Sequence, residues 1–327
     1  MTLSRNEGDD LWGAVFAAPD DDAPRRALAD WLRGQSDPAA RARGEFIHLQ
    51  LAPSPRRENA AAWKRENALL QKYQRAWLGA LAPVIVHRGA VFERGFLDSC
   101  VIRSGAAPVG DPLWSTVRAV ELDQFAGAGF LAHPVMRWLR RVNGLDLEAL
   151  VRLAVLDHPM AVESIACIAR AFSGEAEAVI AESSSLPSLR ALELWVLAGK
   201  LPSGRLLGGA LGRRLETLRL RISGYAAPLA PLLRVVRERD LPLVHLHLDF
   251  SWLETSLERG FDGRLSSLAA RVVPKYVPEL YRFLAELHDG DLSRARIYTG
   301  GKLTPAQRGE LRHELRGRFP SLTIDFV

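Results

Sequence analysis

The chain has 327 residues, 48% of them hydrophobic and 25% charged, a composition that excludes an intrinsically disordered or low-complexity protein. Lysine and arginine number 43 against 38 aspartates and glutamates. The net charge of +5 is spread along the chain, whereas nucleic-acid binders concentrate theirs in a stripe. The length predicts two domains unless a repeat array extends one of them.

The opening residues have no apolar run behind Arg5 and do not read as a secretion signal. The longest apolar run, Trp77 to Val86, contains Pro83 and is too short to span a bilayer, so no membrane partner is expected. Cys100 and Cys167 are the only cysteines. Each lies in an apolar segment without metal-ligand spacing, which predicts two core thiols in a reducing cytoplasm and no metal.

Residues 1–95 are expected to be helical. Asp22-Ala23-Pro24 opens a segment with Leu28, Trp31 and Leu32 at helical spacing, closed near Gly34. Asp37-Pro38 repeats that start signal ahead of Phe46, Ile47, Gln50 and Leu51, and Pro53 and Pro55 end the segment. From Arg56 to about Leu81, Trp63, Leu70, Tyr73, Trp77 and Leu81 share one side of a third helix. Its basic residues, from Arg56 to Arg75, predict a solvated face. Asp30 and Glu45 read as a helix-surface charge and part of an interhelical contact, not as a catalytic pair.

Ala29-Asp30-Trp31-Leu32, Asp37-Pro38, Arg43-Gly44-Glu45-Phe46-Ile47, Leu49-Gln50, Arg75-Ala76-Trp77-Leu78-Gly79 and Glu93-Arg94-Gly95-Phe96 together resemble the repeat-companion domain found beside leucine-rich-like repeats in planctomycetes and myxobacteria. The resemblance covers about the first 100 residues. It implies a helical cap ahead of a repeat array in a bacterial protein, and it carries over no catalytic residue. A cap also has a physical reason, since the first repeat of an array would otherwise expose its apolar edge.

From residue 96 onward an L-x-x-L-x-L core recurs. It is clearest at Leu189-x-x-Leu192-x-Leu194, Leu215-x-x-Leu218-x-Leu220 and Leu243-x-x-Leu246-x-Leu248. Val117–Leu122 and Val142–Leu147 precede these, and weaker copies end at Cys167, Ala270 and Ile297, with a terminal strand at Ile324. The intervals between successive cores, about 20 to 28 residues, fit leucine-rich repeats. Amphipathic stretches at Glu175–Glu182, Pro228–Arg239, Pro278–Leu287 and Pro305–Arg318 supply helices between strands. The expected fold is α/β. Behind a helical cap over 1–95, residues 96–327 form a leucine-rich-repeat-like solenoid of nine or ten strands, with a parallel sheet on the concave face and helices on the convex face. The asparagine usual after the strand core is mostly missing, so the repeat class stays open.

Alternation along a strand sends the leucines inward and the residues between them outward. The outward residues, expected to bind a partner, are Glu121, Asp123, Asp146, Glu148, Glu193, Trp195, Thr217, Arg219, Arg221, His245, His247, Asp249, Arg294, Arg296 and Tyr298. They read acidic early and basic late, a polarity that would orient a protein partner. Trp195 is either an exposed anchor or part of a loop core. His245, His247 and Asp249 stand roughly 6.6 Å apart at a strand's rise, too far for the outer two to share a metal without help.

No complete dinucleotide-binding, P-loop, hydrolase-elbow or zinc-protease motif occurs. Gly127-x-Gly129-x-x-Ala132, Gly208-Gly209 and Gly300-Gly301 read as turns, and Ser183-Ser184-Ser185 as a loop. The expected function is therefore that of an adaptor or regulator binding another protein, with no catalysis and no cofactor. The alternatives are a nucleic-acid-associated protein using its arginines and an enzyme with a site assembled across repeats.

Overall fold

The computed structural model describes residues 5–52, 59–103, 108–123, 128–199, 202–223, 232, 234–236, 241–250, 253–259, 265–272, 276–286, 294–299, 303–319 and 323–326. Among them the chain is α/β, with twelve mostly parallel strands that follow one another in sheet order as in sequence and do not close on themselves. It divides into two compact units, Met1–Val142 and Asn143–Val327.

The first unit opens with α1 (Arg5–Ala17), α2 (Asp22–Arg33), α3 (Pro38–Leu51) and α4 (Ala60–Leu78). The start signals work as their chemistry dictates. The Asp21 carboxylate accepts from the Ala23 N–H, and that of Asp37 accepts from the N–H groups of Ala39 and Ala40, so each satisfies donors that the first helical turn leaves open. Leu28, Ala29, Leu32, Ile47 and Phe96 are buried with Val15 of α1, a helix not foreseen from the sequence because its apolar residues cluster between Leu11 and Ala17 instead of recurring along one face. Asp30 meets His48 at 2.8 Å and Glu45 takes a two-pronged bond from Arg65, so both are contacts between helices.

The expectation of a wholly helical stretch to residue 95 is corrected by β1 (Ile85–Glu93), which pairs antiparallel with β2 (Phe96–Ile102). Arg94 and Gly95 form the turn, with φ of 53° and 86°, the sign that the tightest hairpin loops require at both positions. Gly95 is needed twice over, because a Cβ there would also collide with Ile47. Polar contacts then lock the turn to the helices. Gln50 accepts from the Gly95 N–H at 2.6 Å and donates to the Phe92 carbonyl, Arg94 binds Asp22, and buried Arg25 donates to the carbonyls of Arg94 and Pro19. The short strand β3 (Ala119–Leu122) pairs parallel with β2 and buries Val120 and Leu122.

β4 (Arg141–Asp146) runs into α5 (Leu147–Ala154). The second unit continues through β5 (Ser164–Phe172), α6 (Gly174–Ala181), β6 (Ala191–Gly199), α7 (Arg205–Gly208), β7 (Thr217–Ile222) and β8 (His245–Phe250). Strands β5 to β8 pair parallel in unshifted register, so that Cys167, Leu194, Leu220 and Leu248 lie abreast, each at most 1% exposed. Both thiols are free and buried. The Glu177 carboxylate is buried yet satisfied, accepting from the Ser203 N–H and hydroxyl and the Leu206 N–H. Ser183 and Ser185 bond to each other in a buried loop, and Ser185 donates to the Leu153 carbonyl.

After β8 the repeat breaks. Where the spacing from Leu248 to Ala270 reads as one more, weaker repeat, β9 (Leu253–Arg259) runs antiparallel between β8 and β10 (Leu265–Val272). Only two residues separate β8 from β9, too few for a crossover. The alternation Leu253, Thr255, Leu257 against Glu254, Ser256, Glu258 is the period-2 signal that marks it. Beyond it α8 (Val277–Glu286), β11 (Arg294–Thr299), α9 (Pro305–Arg318) and β12 (Thr323–Phe326) restore parallel pairing. The helix α9 begins with a reciprocal pair in which Thr304 and Gln307 cap each other's backbone. Most of the predicted Pro228–Arg239 helix and the Gly300-Gly301 turn lie outside the described residues, as does Gly127 of the Gly127–Ala132 turn.

Candidate functional site

The strands of the second unit bury one face and leave the other open. Along β7 and β8 burial alternates strictly, with Leu218, Leu220, Leu246 and Leu248 inside and Thr217, Arg219, Arg221, His245, His247 and Asp249 half-buried on the other side. Register arranges that open face in rungs. One runs through Glu193, Arg219, His247, Ser256, Ala269 and Arg296, and the next through Trp195, Arg221, Asp249, Glu254, Arg271 and Tyr298.

Charges on neighbouring rungs pair with one another. Arg219 donates from Nε and Nη2 to one oxygen of Asp249, at 2.8 and 2.6 Å. Arg221 sits 2.8 Å from Glu193 and 3.6 Å from the same Asp249 oxygen. Burial opposes the Arg219 charge, and the bonds and negative charge of Asp249 outweigh it, so its pKa is raised. His245 and His247 stack with ring centres 6.0 Å apart. Burial, followed by the charges of Arg219 and His245, lowers the His247 pKa and favours the neutral ring. Beside these, His247, Asp249, Glu254, Arg271 and Tyr298 rim a depression of about 160 Å³.

Trp195 is 40% exposed, and its ring N–H donates to the Ser223 hydroxyl at 3.2 Å. It therefore stands on the open face and not in a loop core. Arg294 and Arg296 are exposed on β11, with Tyr298 half-buried beyond them.

Three other residues were placed less well than Glu121, which stands exposed on β3 between buried Val120 and Leu122 as the alternation requires. Glu121 and Asp123 are exposed in the first unit, Glu121 within β3 and Asp123 just past its end. Asp146 ends β4 and turns its carboxylate to the Ala149 N–H, capping α5. Glu148 lies on α5 and pairs with Arg152 one turn on, so neither follows the strand alternation expected of it. Leu147, read as a strand anchor, starts that helix.

The expected acidic-to-basic gradient also needs revision over the central strands. Arg219 and Arg221 are matched by Asp249 and Glu193, and β9 inserts Glu254 and Glu258, which the repeat alignment had passed over. Among the described residues no three histidine, cysteine, aspartate or glutamate side chains gather as metal ligands. No helix among them is long and apolar enough to cross a membrane. A scan of protein-family models and a search of curated proteins each find no match to the chain.

Proposed function

We propose that the chain is a non-catalytic adaptor or regulator that binds another protein on the open strand face of a leucine-rich-repeat-like solenoid, with the first unit as its repeat-companion cap. The observation that carries this reading is Trp195. A large aromatic ring, 40% exposed, stands beside an ion-paired network of Glu193, Arg221, Asp249 and Arg219 on parallel strands. Exposed aromatics next to ordered polar groups are the usual centres of binding energy, because burying the ring gains area at little cost in side-chain entropy. The internal pairing of Arg219 and Arg221 favours a protein partner over nucleic acid, since phosphates would have to compete with Asp249 and Glu193.

The test is affinity capture from native lysate with the wild type and three variants. Trp195→Asp and Arg296→Glu are expected to lose a protein that the wild type retains, whereas Glu148→Lys on α5 is expected to keep it. An identical set of captured proteins with Trp195→Asp would refute the reading.

A further inference from the structure

The first unit holds a second feature, independent of the open strand face. A cavity of about 540 Å³ lies among Trp12, Phe16, Leu32, Trp77 and Leu113, with Arg43 in its wall. That volume lies within the range of small-molecule sites, roughly 300–1,000 Å³. The lining is mostly apolar, and three of these five residues are aromatic.

Arg43 is the unusual member. It is 3% exposed, and its Nε and Nη1 atoms are buried without a hydrogen-bond partner. Its guanidinium lies over three rings, 4.9 Å from Trp77, 5.2 Å from Phe96 and 5.3 Å from Phe92. Rings stabilise a cation through their faces but accept none of its in-plane N–H bonds. The electrostatic influence on it comes from Arg25, of like sign, and burial together with that charge pulls its pKa down to about 9. A buried cation with unmet donors is costly, and a carboxylate held at the cavity wall beside it offsets the charge imbalance.

Arg25 makes the contrast plain. It too lies over Phe96, at 4.6 Å, but it donates to two carbonyls and so is structurally satisfied. Asp37 and Asp111 also line the cavity, and both are committed to backbone N–H groups, Asp37 to Ala39 and Ala40 and Asp111 to Leu113. Neither supplies the counter-charge that Arg43 lacks.

We propose that this cavity binds a small aromatic carboxylic acid, its ring among Trp12, Phe16 and Trp77 and its carboxylate on Arg43. The probe is 1-naphthoate, compared with the uncharged 1-naphthamide of nearly the same shape, by calorimetric titration of the full chain. Naphthoate is expected to bind roughly tenfold or more tightly than the amide, because only the anion offsets the charge of the guanidinium. Arg43→Gln should erase that preference while leaving weak binding of both. Ala76→Phe, at an exposed position on the cavity rim, should weaken both ligands without touching Arg43, and it serves if Arg43→Gln fails to fold. Equal affinity for the two probes, no binding of naphthoate, or binding unchanged by Ala76→Phe would each overturn the proposal.

Discussion

The two units hold themselves together by different means. In the first, the helices and the β1–β2 hairpin are joined through polar side chains that reach far along the sequence: Arg25 to the Arg94 carbonyl, Arg94 to Asp22, Gln50 to Gly95, and Arg118 to Asp20 at 2.6 Å. In the second, the joining element is a row of Cys167, Leu194, Leu220 and Leu248, identical in role from strand to strand. A polar keystone specifies one partner, because its donors need acceptors at set places. A leucine row specifies only spacing, which is why it can be repeated, and why β9 can enter the sheet with Thr255 inward in this row and Leu257 inward in the neighbouring one.

The largest test of this contrast is a cavity in the row. Leu220 is fully buried, with Leu194 and Leu248 as its register neighbours, and Leu220→Ala is expected to cost about 4 kcal/mol in denaturant unfolding. A loss under about 1 kcal/mol would mean that the row can collapse around the gap and is not a continuous core.

Alkaline pH separates the units in a second way. Burial pushes the Cys167 thiol, with some help from Asp146, up to about 12 from the ordinary 9. The folded chain therefore keeps a proton that the unfolded chain releases, and stability is full below pH 9 and declines from there toward pH 12. By pH 10.5 that decline is about 2 kcal/mol for this thiol alone. Cys100, also raised by burial to about 12, acts in the same direction in the first unit, but there Arg43 opposes it. Its folded pKa of about 9 lies well below the ordinary arginine range, so from about pH 9 upward the unfolded chain holds the extra proton and stability rises with pH. Cys167→Ala should thus flatten the alkaline limb, and Arg43→Met should steepen it, as read by urea midpoints at pH 8 and 10.5. Two parallel limbs would show that these groups do not titrate as their burial implies.

What the sequence made legible follows the same division. Apolar spacing alone placed β3, β5 to β8 and β10 to β12, because each repeat buries the same inward positions. Aspartate and proline placed the starts of α2 and α3 to within a residue. The hairpin β1–β2 escaped because its register shifts twice, and β9 escaped because a leucine search at repeat spacing steps over a strand that runs the other way. The candidate face was legible residue by residue at Glu193, Trp195, Arg219, Arg221, His245, His247 and Asp249. Their pairing was not, since Arg219 and Asp249 are 30 residues apart and only the register of β7 with β8 brings them together. Arg43 escaped for another reason: nothing in the sequence distinguishes an arginine over three rings from one in solvent.

The smallest expected effect tests whether the charge network on the open face is a structural device or a binding one. Arg219 and Asp249 are both partly exposed, their side chains at 33% and 17%, and their two bonds share one carboxylate oxygen. A pair so placed contributes about 1 kcal/mol of coupling in a double-mutant cycle of Arg219→Ala with Asp249→Ala, and added salt should reduce it. Coupling of that size leaves both residues free in energetic terms to be rearranged by a partner, and it makes Asp249→Ala a milder probe of the face than reversal of Arg219 and Arg221, which would crowd new carboxylates against Asp249 and Glu193. Coupling several times larger, insensitive to salt, would instead make the network a fixed part of the sheet. Recognition would then have to fall on Trp195 and the exposed β11 arginines alone.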